Sequence, residues 1–348
     1  MRKFIVYFLT ICIPAILIVS SVNLLITPDE IYKCGYMDRI IEMARKGYNA
    51  TNAEPHLDER LFKKKYAELY KNREIDYLIL GASRLMPISS EAINGNSVLN
   101  LAISGAKIED LISIYQVSKA NHIKPSNVII GIDPLFFNPN YGRDWWQTIS
   151  EYYYQFMGVE DFKNYNRPWD RLFSIDYFKK VINSFHDSAD LDLHSVRYTK
   201  EIVNDGYTRR KDGSIYYPKN FREKSLDEVN DIAKSFIVDE YEFDTLSTER
   251  IRIIEKLIDR IQMENCNIVI LCCPFHPLLF QRIMQRDCVK NTISYVSDLA
   301  NRKNLVVIGH YNPTIEGFDE KDFYDATHVK KESLDFMLQQ HRDLFPLW

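Results

Sequence analysis

Ser83 lies in a stretch whose residue types suit nucleophilic chemistry. It follows an apolar run and comes directly after Gly81 and Ala82, whose small side chains permit a tight turn. A serine hydroxyl in such a turn, followed by backbone N–H groups that favour negative charge, is well placed to attack a carbonyl carbon. Serine at this position is also a common helix N-cap, so Ser83 alone does not identify a nucleophile.

Two further motifs carry residues that could complete such chemistry. Gly105 ends the stretch Asn-Leu-Ala-Ile-Ser-Gly after the next apolar run, and a glycine there lets a substrate approach the backbone N–H closely. Near the C-terminus, Asp325 precedes His328 by three residues. A carboxylate at this spacing can hold the imidazole in one tautomer, so that the ring accepts a proton from serine. Asp325 could instead serve as a helix N-cap.

Other polar residues near these motifs have two interpretations each. Arg84 follows Ser83 and could steer an anionic glycan or form a scaffold ion pair. His276 could bind substrate or compete as a base, whereas its position between prolines favours a structural role. The run at residues 63–65 is interpreted as a solvated helix face, and the run at residues 209–211 as a charged turn on the cap.

The elements that must position these residues form a repeated pattern. Five short apolar or β-branched runs predict strands covered on both faces, at residues 75–81, 98–102, 128–132, 267–273 and 305–309. Amphipathic helices lie between them, with apolar residues at the spacing of a one-sided helix. Strands alternating with helices predict a three-layer α/β/α sandwich with a mostly parallel, flavodoxin-like five-stranded sheet. A last helix is expected from His328 to about Arg342.

One segment, residues 134–247, lacks this pattern and holds more than half of the chain's aromatic residues. It is predicted to be an insertion or cap beside the carboxyl edge of the sheet, where open α/β sheets bind ligands. The aromatic rings could stack on sugar rings, or they could simply pack a subdomain that has few aliphatic residues. The predicted divisions are therefore residues 1–26, an anchor; 27–74, a linker with leading helices; and 75–348, the main domain with its insertion.

The predicted anchor is an uncharged apolar stretch over residues 4–26, long enough to cross a bilayer core of roughly 30 Å. Arg2 and Lys3 precede it and Asp29 and Glu30 follow it, so the positive-inside rule predicts a single-pass protein of the cell membrane. The N-terminus would be cytoplasmic and the main domain extracytoplasmic. A cleaved signal peptide is the alternative.

Bulk composition excludes several classes of function. With 46% hydrophobic and 26% charged residues the chain is expected to fold, and a net charge of −4 argues against nucleic acid as a partner. The six cysteines match no zinc-site spacing, and they leave disulfide pairing open. Neither a G-x-G-x-x-G nor a Walker A motif is present, so no nucleotide cofactor is expected. Asp325 and His328 could be metal ligands, but no second His/Asp pair has recognisable metal spacing, so no metal is expected.

The ordered set of Ser83, Gly105 and Asp325-x-x-His328 resembles the SGNH (GDSL-like) hydrolase superfamily. In particular, it is similar to the membrane-anchored branch that includes the alginate O-acetylation and teichoic-acid D-alanylation proteins. The resemblance covers residues 75–135 and 250–345. It implies that Ser83 is the nucleophile, that Gly105 supplies an oxyanion N–H, and that Asp325 orients the general base His328.

The chain departs from the family pattern at Asp133. The family's third block reads Gly-x-Asn-Asp, and its asparagine donates to the oxyanion, whereas this chain has Gly-Ile-Asp-Pro at residues 131–134. An ionised carboxylate cannot donate a hydrogen bond. Asp133 is therefore expected to play a role other than oxyanion stabilisation, either on substrate or in structure.

Together these observations predict an extracytoplasmic serine O-acyltransferase or esterase that acts on a cell-surface polysaccharide through an acyl-enzyme. The alternative is a non-catalytic subunit with the same fold, which binds glycan or an integral-membrane acyltransferase within an acylation or export assembly. Asp133 in place of asparagine favours that alternative.

Overall fold

The computed structural model describes most of the chain. The described residues are 2–25, 35–53, 57–94, 97–142, 144–159, 172–173, 175, 178–179, 181–182, 195–201 and 206–344. Among these residues no helix is long and apolar enough to cross a membrane. The prediction of a single-pass anchor over residues 4–26 is therefore not supported. The N-terminal segment does form a helix, which contains Pro14.

A five-stranded parallel sheet forms the centre of the molecule, as expected from the five apolar runs. Its strands are β2 (Glu74–Leu80), β3 (Val98–Asn100), β4 (Lys124–Gly131), β8 (Asn267–Leu271) and β9 (Val306–Ile308). They lie in the order β3-β2-β4-β8-β9, and every neighbouring pair is parallel. This 2-1-3-4-5 order is the flavodoxin-like arrangement. The predicted fold class is confirmed for the sheet.

Helices cover both faces of this sheet. The described α-helices are α1 (Arg2–Leu25), α2 (Tyr36–Arg45), α3 (Glu59–Ala67), α4 (Ile108–Ala120), α5 (Ser150–Met157), α6 (Lys219–Arg222), α7 (Leu226–Ser235), α8 (Thr248–Met263), α9 (Pro277–Ile283), α10 (Asp287–Lys303) and α11 (Lys331–Gln340). Alternate residues of β2 enter different cores: Leu78 and Leu80 pack with α4 and α8, whereas Tyr77 and Ile79 pack with α11. The sheet is thus the middle of three layers.

A second, smaller sheet joins the leading segment to the insertion. Its strands are β1 (Asn49–Thr51), β5 (Arg197–Thr199), β6 (Thr208–Arg209) and β7 (Ile215–Tyr216). The order is β5-β1-β6-β7 and all pairs are antiparallel, so β1 is hydrogen-bonded to two insertion strands. The segments at residues 27–74 and 134–247 therefore fold onto each other through backbone hydrogen bonds.

The basic runs at residues 63–65 and 209–211 contain buried cations, so the interpretation of a solvated helix face is wrong for Lys63. Lys63 is fully buried, and its Nζ donates to the carbonyl oxygens of Asn100 at 3.0 Å and Gly213 at 2.5 Å. Burial lowers the pKa of Lys63 to about 8. Arg209 and Arg210 are also buried. Residues 210–213 do form a turn of the insertion, but this turn packs against the edge strand β3, where the Asn100 N–H donates to the Asp212 carbonyl oxygen at 2.8 Å.

Candidate active site

Ser83 lies in a tight turn at the carboxyl end of β2. The strand ends at Leu80, and Ser83 begins a 3-10 turn that runs to Leu85. Leu85 packs so closely on the end of β4 that a Cβ on Gly131 would lie 2.5 Å from its side chain. Glycine at position 131 therefore permits this turn, and the half-buried Ser83 stays at the carboxyl rim of the sheet.

Asp325 and His328 form a compact polar turn that precedes α11. One carboxylate oxygen of Asp325 accepts the backbone N–H groups of Thr327 and His328, both at 2.8 Å. The other lies 2.8 Å from Nδ1 of His328. Because an ionised carboxylate only accepts hydrogen bonds, Nδ1 carries the proton and Nε2 is free to accept one. Helix α11 begins at Lys331, so Asp325 orients the imidazole and is not the helix N-cap, which is Lys330.

The environment of Asp325 keeps its carboxylate ionised. Burial raises its pKa, but the adjacent His328 ring and the N–H groups of Thr327 and His328 lower it by more. The net result is a pKa well below the ordinary aspartate value. Asp325 is thus a fixed negative charge that can stabilise an imidazolium at His328.

The turn that begins with Ser83 and the turn that contains Asp325 and His328 meet at the carboxyl edge of the sheet. Nε2 of His328 lies 2.9 Å from Oγ of Ser83, although the two residues are 245 positions apart in sequence. With the proton of the ring on Nδ1, Nε2 accepts from the serine hydroxyl. Ser83, His328 and Asp325 therefore form one continuous hydrogen-bonded chain, and both distances lie within the range for a nucleophile, its base and the group that orients it.

Gly105 lies in a loop that a buried arginine holds in place. Arg60 of α3 donates to the carbonyl oxygens of Ser104 and Gly105, each at 3.1 Å, and to both carboxylate oxygens of Asp110 at 2.8 and 3.0 Å. Gly105 has a positive φ of 59°, which a residue with a side chain adopts only with strain. Behind it, the Trp145 ring lies 3.4 Å from the position that a Cβ would occupy. The loop is thus fixed on both sides.

Arg84, which follows Ser83, and Asp133 form an ion pair. The Arg84 guanidinium contacts the Asp133 carboxylate, donates to the carbonyl oxygen of Cys273 at 3.0 Å and lies 4.4 Å from the centre of the Phe275 ring. The second carboxylate oxygen of Asp133 accepts the Leu135 N–H at 3.0 Å. Of the two interpretations of Arg84, these contacts favour the scaffold, because its side chain is only 6% exposed.

His276 is fully buried beside the loop that carries Asp325. Its Nδ1 accepts the N–H of Leu278 at 3.2 Å, its backbone N–H donates to Ala326 at 3.1 Å, and its ring meets the Phe323 ring edge-on at 5.3 Å. Burial lowers its pKa, which favours the neutral ring. It makes no described hydrogen bond to Ser83 or His328. These contacts favour the structural interpretation.

A group of aromatic side chains beside His328 was not singled out from the sequence. The rings of Tyr217 and Phe221 meet the imidazole edge-on, with centroid distances of 5.8 and 6.2 Å, and both also contact Tyr324. Arg60 was likewise missed. The only sequence signal for Tyr217 and Phe221 is the aromatic enrichment of the insertion, which does not distinguish one ring from another.

Neither a metal site nor similarity to known proteins gives a further indication of what this site does. Within the described part of the chain, no cluster of three or more histidine, cysteine, aspartate or glutamate residues could hold a metal ion. No protein-family model matches the chain, and no curated protein matches it significantly.

Proposed function

We propose that this protein is a serine acyltransferase or esterase with Ser83, His328 and Asp325 as its triad. The observation that carries the proposal is the hydrogen-bonded chain from the Ser83 hydroxyl through the His328 ring to the Asp325 carboxylate. Three side chains from opposite ends of the sequence meet in the order and orientation that this chemistry requires. The resemblance of their motifs to the SGNH superfamily supports the same conclusion.

The reaction divides into two half-reactions that use the same groups. In the first, Oγ of Ser83 attacks the ester carbonyl while Nε2 of His328 takes the hydroxyl proton, and the ring returns that proton to the leaving alcohol. An acyl-enzyme remains. In the second, His328 takes a proton from an acceptor hydroxyl, whose oxygen attacks the acyl carbon. The bond from that carbon to Oγ of Ser83 then breaks, and the ring returns the proton to Oγ. Water as acceptor gives hydrolysis, and a sugar hydroxyl gives transfer.

Oxyanion stabilisation in this proposal comes from backbone N–H groups. Ser83 and Gly105 are the proposed donors, and Arg60 holds the Gly105 loop in position. Asp133 contributes no donor, since its carboxylate is occupied by Arg84 and the Leu135 N–H. Losing one oxyanion donor costs on the order of 10²–10³ in rate, so we expect slow turnover of simple esters.

The proposed acceptor is a polysaccharide. The resemblance to the membrane-anchored branch of the SGNH superfamily implies that this polysaccharide belongs to the cell surface. The support on the molecule is the aromatic insertion, which places Tyr217 and Phe221 against His328 and the exposed Trp145 against Gly105. Flat aromatic faces beside a catalytic hydroxyl suit the apolar face of a sugar ring.

A non-catalytic glycan-binding or scaffold subunit is the second candidate, favoured by the occupied Asp133 carboxylate. A serine-directed fluorophosphonate probe distinguishes the two. We expect covalent labelling of the wild type and of Ser104→Ala, which removes an exposed hydroxyl near Gly105, but none of Ser83→Ala. Equal labelling of the wild type and Ser83→Ala, or none of either, would contradict the catalytic proposal.

A further inference from the structure

Asn100 is a fully buried polar side chain outside the triad and the proposed oxyanion donors. It is the last residue of β3, and it opens the stretch that ends at Gly105. Burying a side-chain amide costs free energy unless its hydrogen bonds are made inside the protein. The partners of this amide therefore indicate what it does.

The amide nitrogen of Asn100 holds the segment that follows Ser83. Nδ2 donates to the carbonyl oxygens of Leu85 and Ile88, each at 2.8 Å, and lies 3.3 Å from the carbonyl oxygen of Met86. These carbonyls need a donor from elsewhere, because the chain makes one 3-10 turn after the nucleophile and does not continue as an α-helix. The side chain of Asn100 thus supplies the hydrogen bonds that a helix would have provided.

Pro87 explains why no α-helix follows Ser83. In a helix that started at the nucleophile, the N–H of residue 87 would donate to the carbonyl oxygen of residue 83, and proline has no N–H. The Met86 N–H donates to that carbonyl instead, at 3.1 Å, and closes the 3-10 turn. The conformation of the nucleophile segment therefore depends on contacts from outside the segment.

The amide oxygen of Asn100 holds the segment that leads to Gly105. Oδ1 accepts the N–H of Ala102 at 2.9 Å, and the N–H of Ile103 donates to the carbonyl oxygen of Gly81 at 3.0 Å. The partners fix the orientation of the amide, since its nitrogen faces carbonyl oxygens and its oxygen faces an N–H. The approach to the proposed oxyanion donor is thus tied to the same side chain as the nucleophile segment.

The main chain of Asn100 is held separately by the insertion and the leading segment. Its N–H donates to the carbonyl oxygen of Asp212 at 2.8 Å, and its carbonyl oxygen accepts from Nζ of Lys63 at 3.0 Å. The same part of the insertion reaches the nucleophile segment, because the N–H of Ile215 donates to the carbonyl oxygen of Met86 at 2.9 Å. A substitution at position 100 therefore removes the side-chain hydrogen bonds and leaves these backbone contacts of the strand.

We propose that Asn100 is a positioning residue that sets the separation between the nucleophile and the oxyanion donor. One planar amide holds the segment after Ser83 with its nitrogen and the approach to Gly105 with its oxygen. In acyl transfer the carbonyl carbon must lie at Oγ while its oxygen lies at the Gly105 N–H, and a displacement of about 1 Å can cost on the order of 10²-fold in rate. This inference rests on the proposed function, because it assigns Asn100 a role in that reaction.

Steady-state hydrolysis of 4-nitrophenyl acetate by Asn100→Ala tests this role. We expect kcat per folded protein to fall about 10- to 100-fold, with the folded fraction taken from urea unfolding. KM should change less than about threefold, because a fully buried side chain touches no substrate. Asn100→Ser keeps one donor, so its kcat should lie between those of the alanine variant and the wild type. It is also the milder variant, which keeps the test decisive if Asn100→Ala does not fold.

Asn127 provides a matched control for the loss of a buried asparagine. It is also fully buried in the central sheet, and its Nδ2 donates to the carbonyl oxygen of Asp76 at 2.9 Å, nearer the amino edge. Asn127→Ala should lower the urea midpoint as Asn100→Ala does, but it should leave kcat within about twofold. The proposal is overturned if Asn100→Ala keeps the wild-type kcat per folded protein, or if Asn127→Ala lowers kcat as much.

Ser83→Ala in the same assay distinguishes a failure of this inference from a failure of the proposed function. If Ser83→Ala is inactive while Asn100→Ala keeps the wild-type kcat, the proposed function stands and the role of Asn100 is wrong. If Ser83→Ala hydrolyses the ester as fast as the wild type, the proposed function fails, and the role of Asn100 fails with it because there is no nucleophile to position.

Discussion

His328 is the residue on which the proposed chemistry depends, because its two ring nitrogens have different hydrogen-bond partners. Nδ1 donates to Asp325, and that contact leaves Nε2 unprotonated and facing Ser83 at 2.9 Å. The orientation of the ring is thus set by a residue only three positions away, which explains why this part of the site could be predicted from a short motif.

Asp325→Asn should abolish most of the activity without displacing the ring. An asparagine amide can donate to Nδ1, which would move the ring proton to Nε2 and prevent it from accepting the serine proton. We expect fluorophosphonate labelling of Ser83 to slow by about 10³–10⁴-fold. Stopped-time labelling followed by mass spectrometry measures this. A loss smaller than tenfold would mean that Asp325 does not control the tautomer.

Arg84 and Asp133 should show strong energetic coupling. Arg84→Met leaves a carboxylate that is only 15% exposed without its cation, and we expect a loss of up to about 3–5 kcal/mol in the free energy of unfolding. Arg84→Met combined with Asp133→Asn removes both charges, so it should recover part of this loss. Urea unfolding of the two single variants and the double variant gives the coupling. Simple additivity of the single losses would contradict the ion pair.

At the scale of elements, helix α3 contributes to the site although it precedes the central sheet in sequence. Arg60 crosses from this helix to the loop after β3, where it binds two carbonyls and Asp110. Its side chain is 4% exposed, so its hydrogen bonds are shielded from water. In the proposed reaction Arg60 would act only through the position of Gly105, and we regard it as a positioning residue.

Arg60→Lys tests that role. Lysine keeps the charge but lacks the planar fork that reaches several acceptors at once. We expect the labelling rate of Ser83 to fall about tenfold or more, at the cost of about 1–3 kcal/mol of stability for acceptors left unpaired. Arg39→Lys on α2, at an exposed ion pair, should change neither quantity. A loss of stability with an unchanged labelling rate would limit Arg60 to a structural role.

At the scale of the whole molecule, the insertion is joined to the core by buried polar contacts. Lys63 binds carbonyls of both β3 and the turn that contains Gly213, and Asp212 of that turn accepts the backbone N–H of Ser90 at 2.9 Å. These hydrogen bonds join the insertion, the leading segment and the segment that follows Ser83, and we therefore expect the three to unfold together.

The buried ammonium of Lys63 should make stability depend on pH. Its pKa is lowered from 10.5 to about 8 by burial, so the unfolded chain binds more protons between these values. Stability should consequently rise with pH from about 8 to 10.5, by about 3 kcal/mol from this group, and the penalty is complete below pH 8. Lys63→Met should lack this rise. Urea unfolding at pH 7.5 and 10 measures the difference, and parallel pH curves for the two proteins would refute the assignment.

How much of the fold and of the site could be predicted from the sequence depends on whether the interactions involved leave a local sequence pattern. Five buried strands were predictable because continuous apolar runs need cover on both faces, and parallel strands bring their carboxyl ends to one rim. That rule predicts that Ser83 and the Asp325–His328 pair meet at the rim, and Nε2 of His328 does lie 2.9 Å from Oγ of Ser83. Other features were decided only by the tertiary structure: the burial of Lys63, the Arg84–Asp133 ion pair, the Arg60 hydrogen bonds and the ring contacts of Tyr217 and Phe221 with His328. Each of them joins segments that lie far apart in the sequence, and no local sequence pattern indicates how such segments pack.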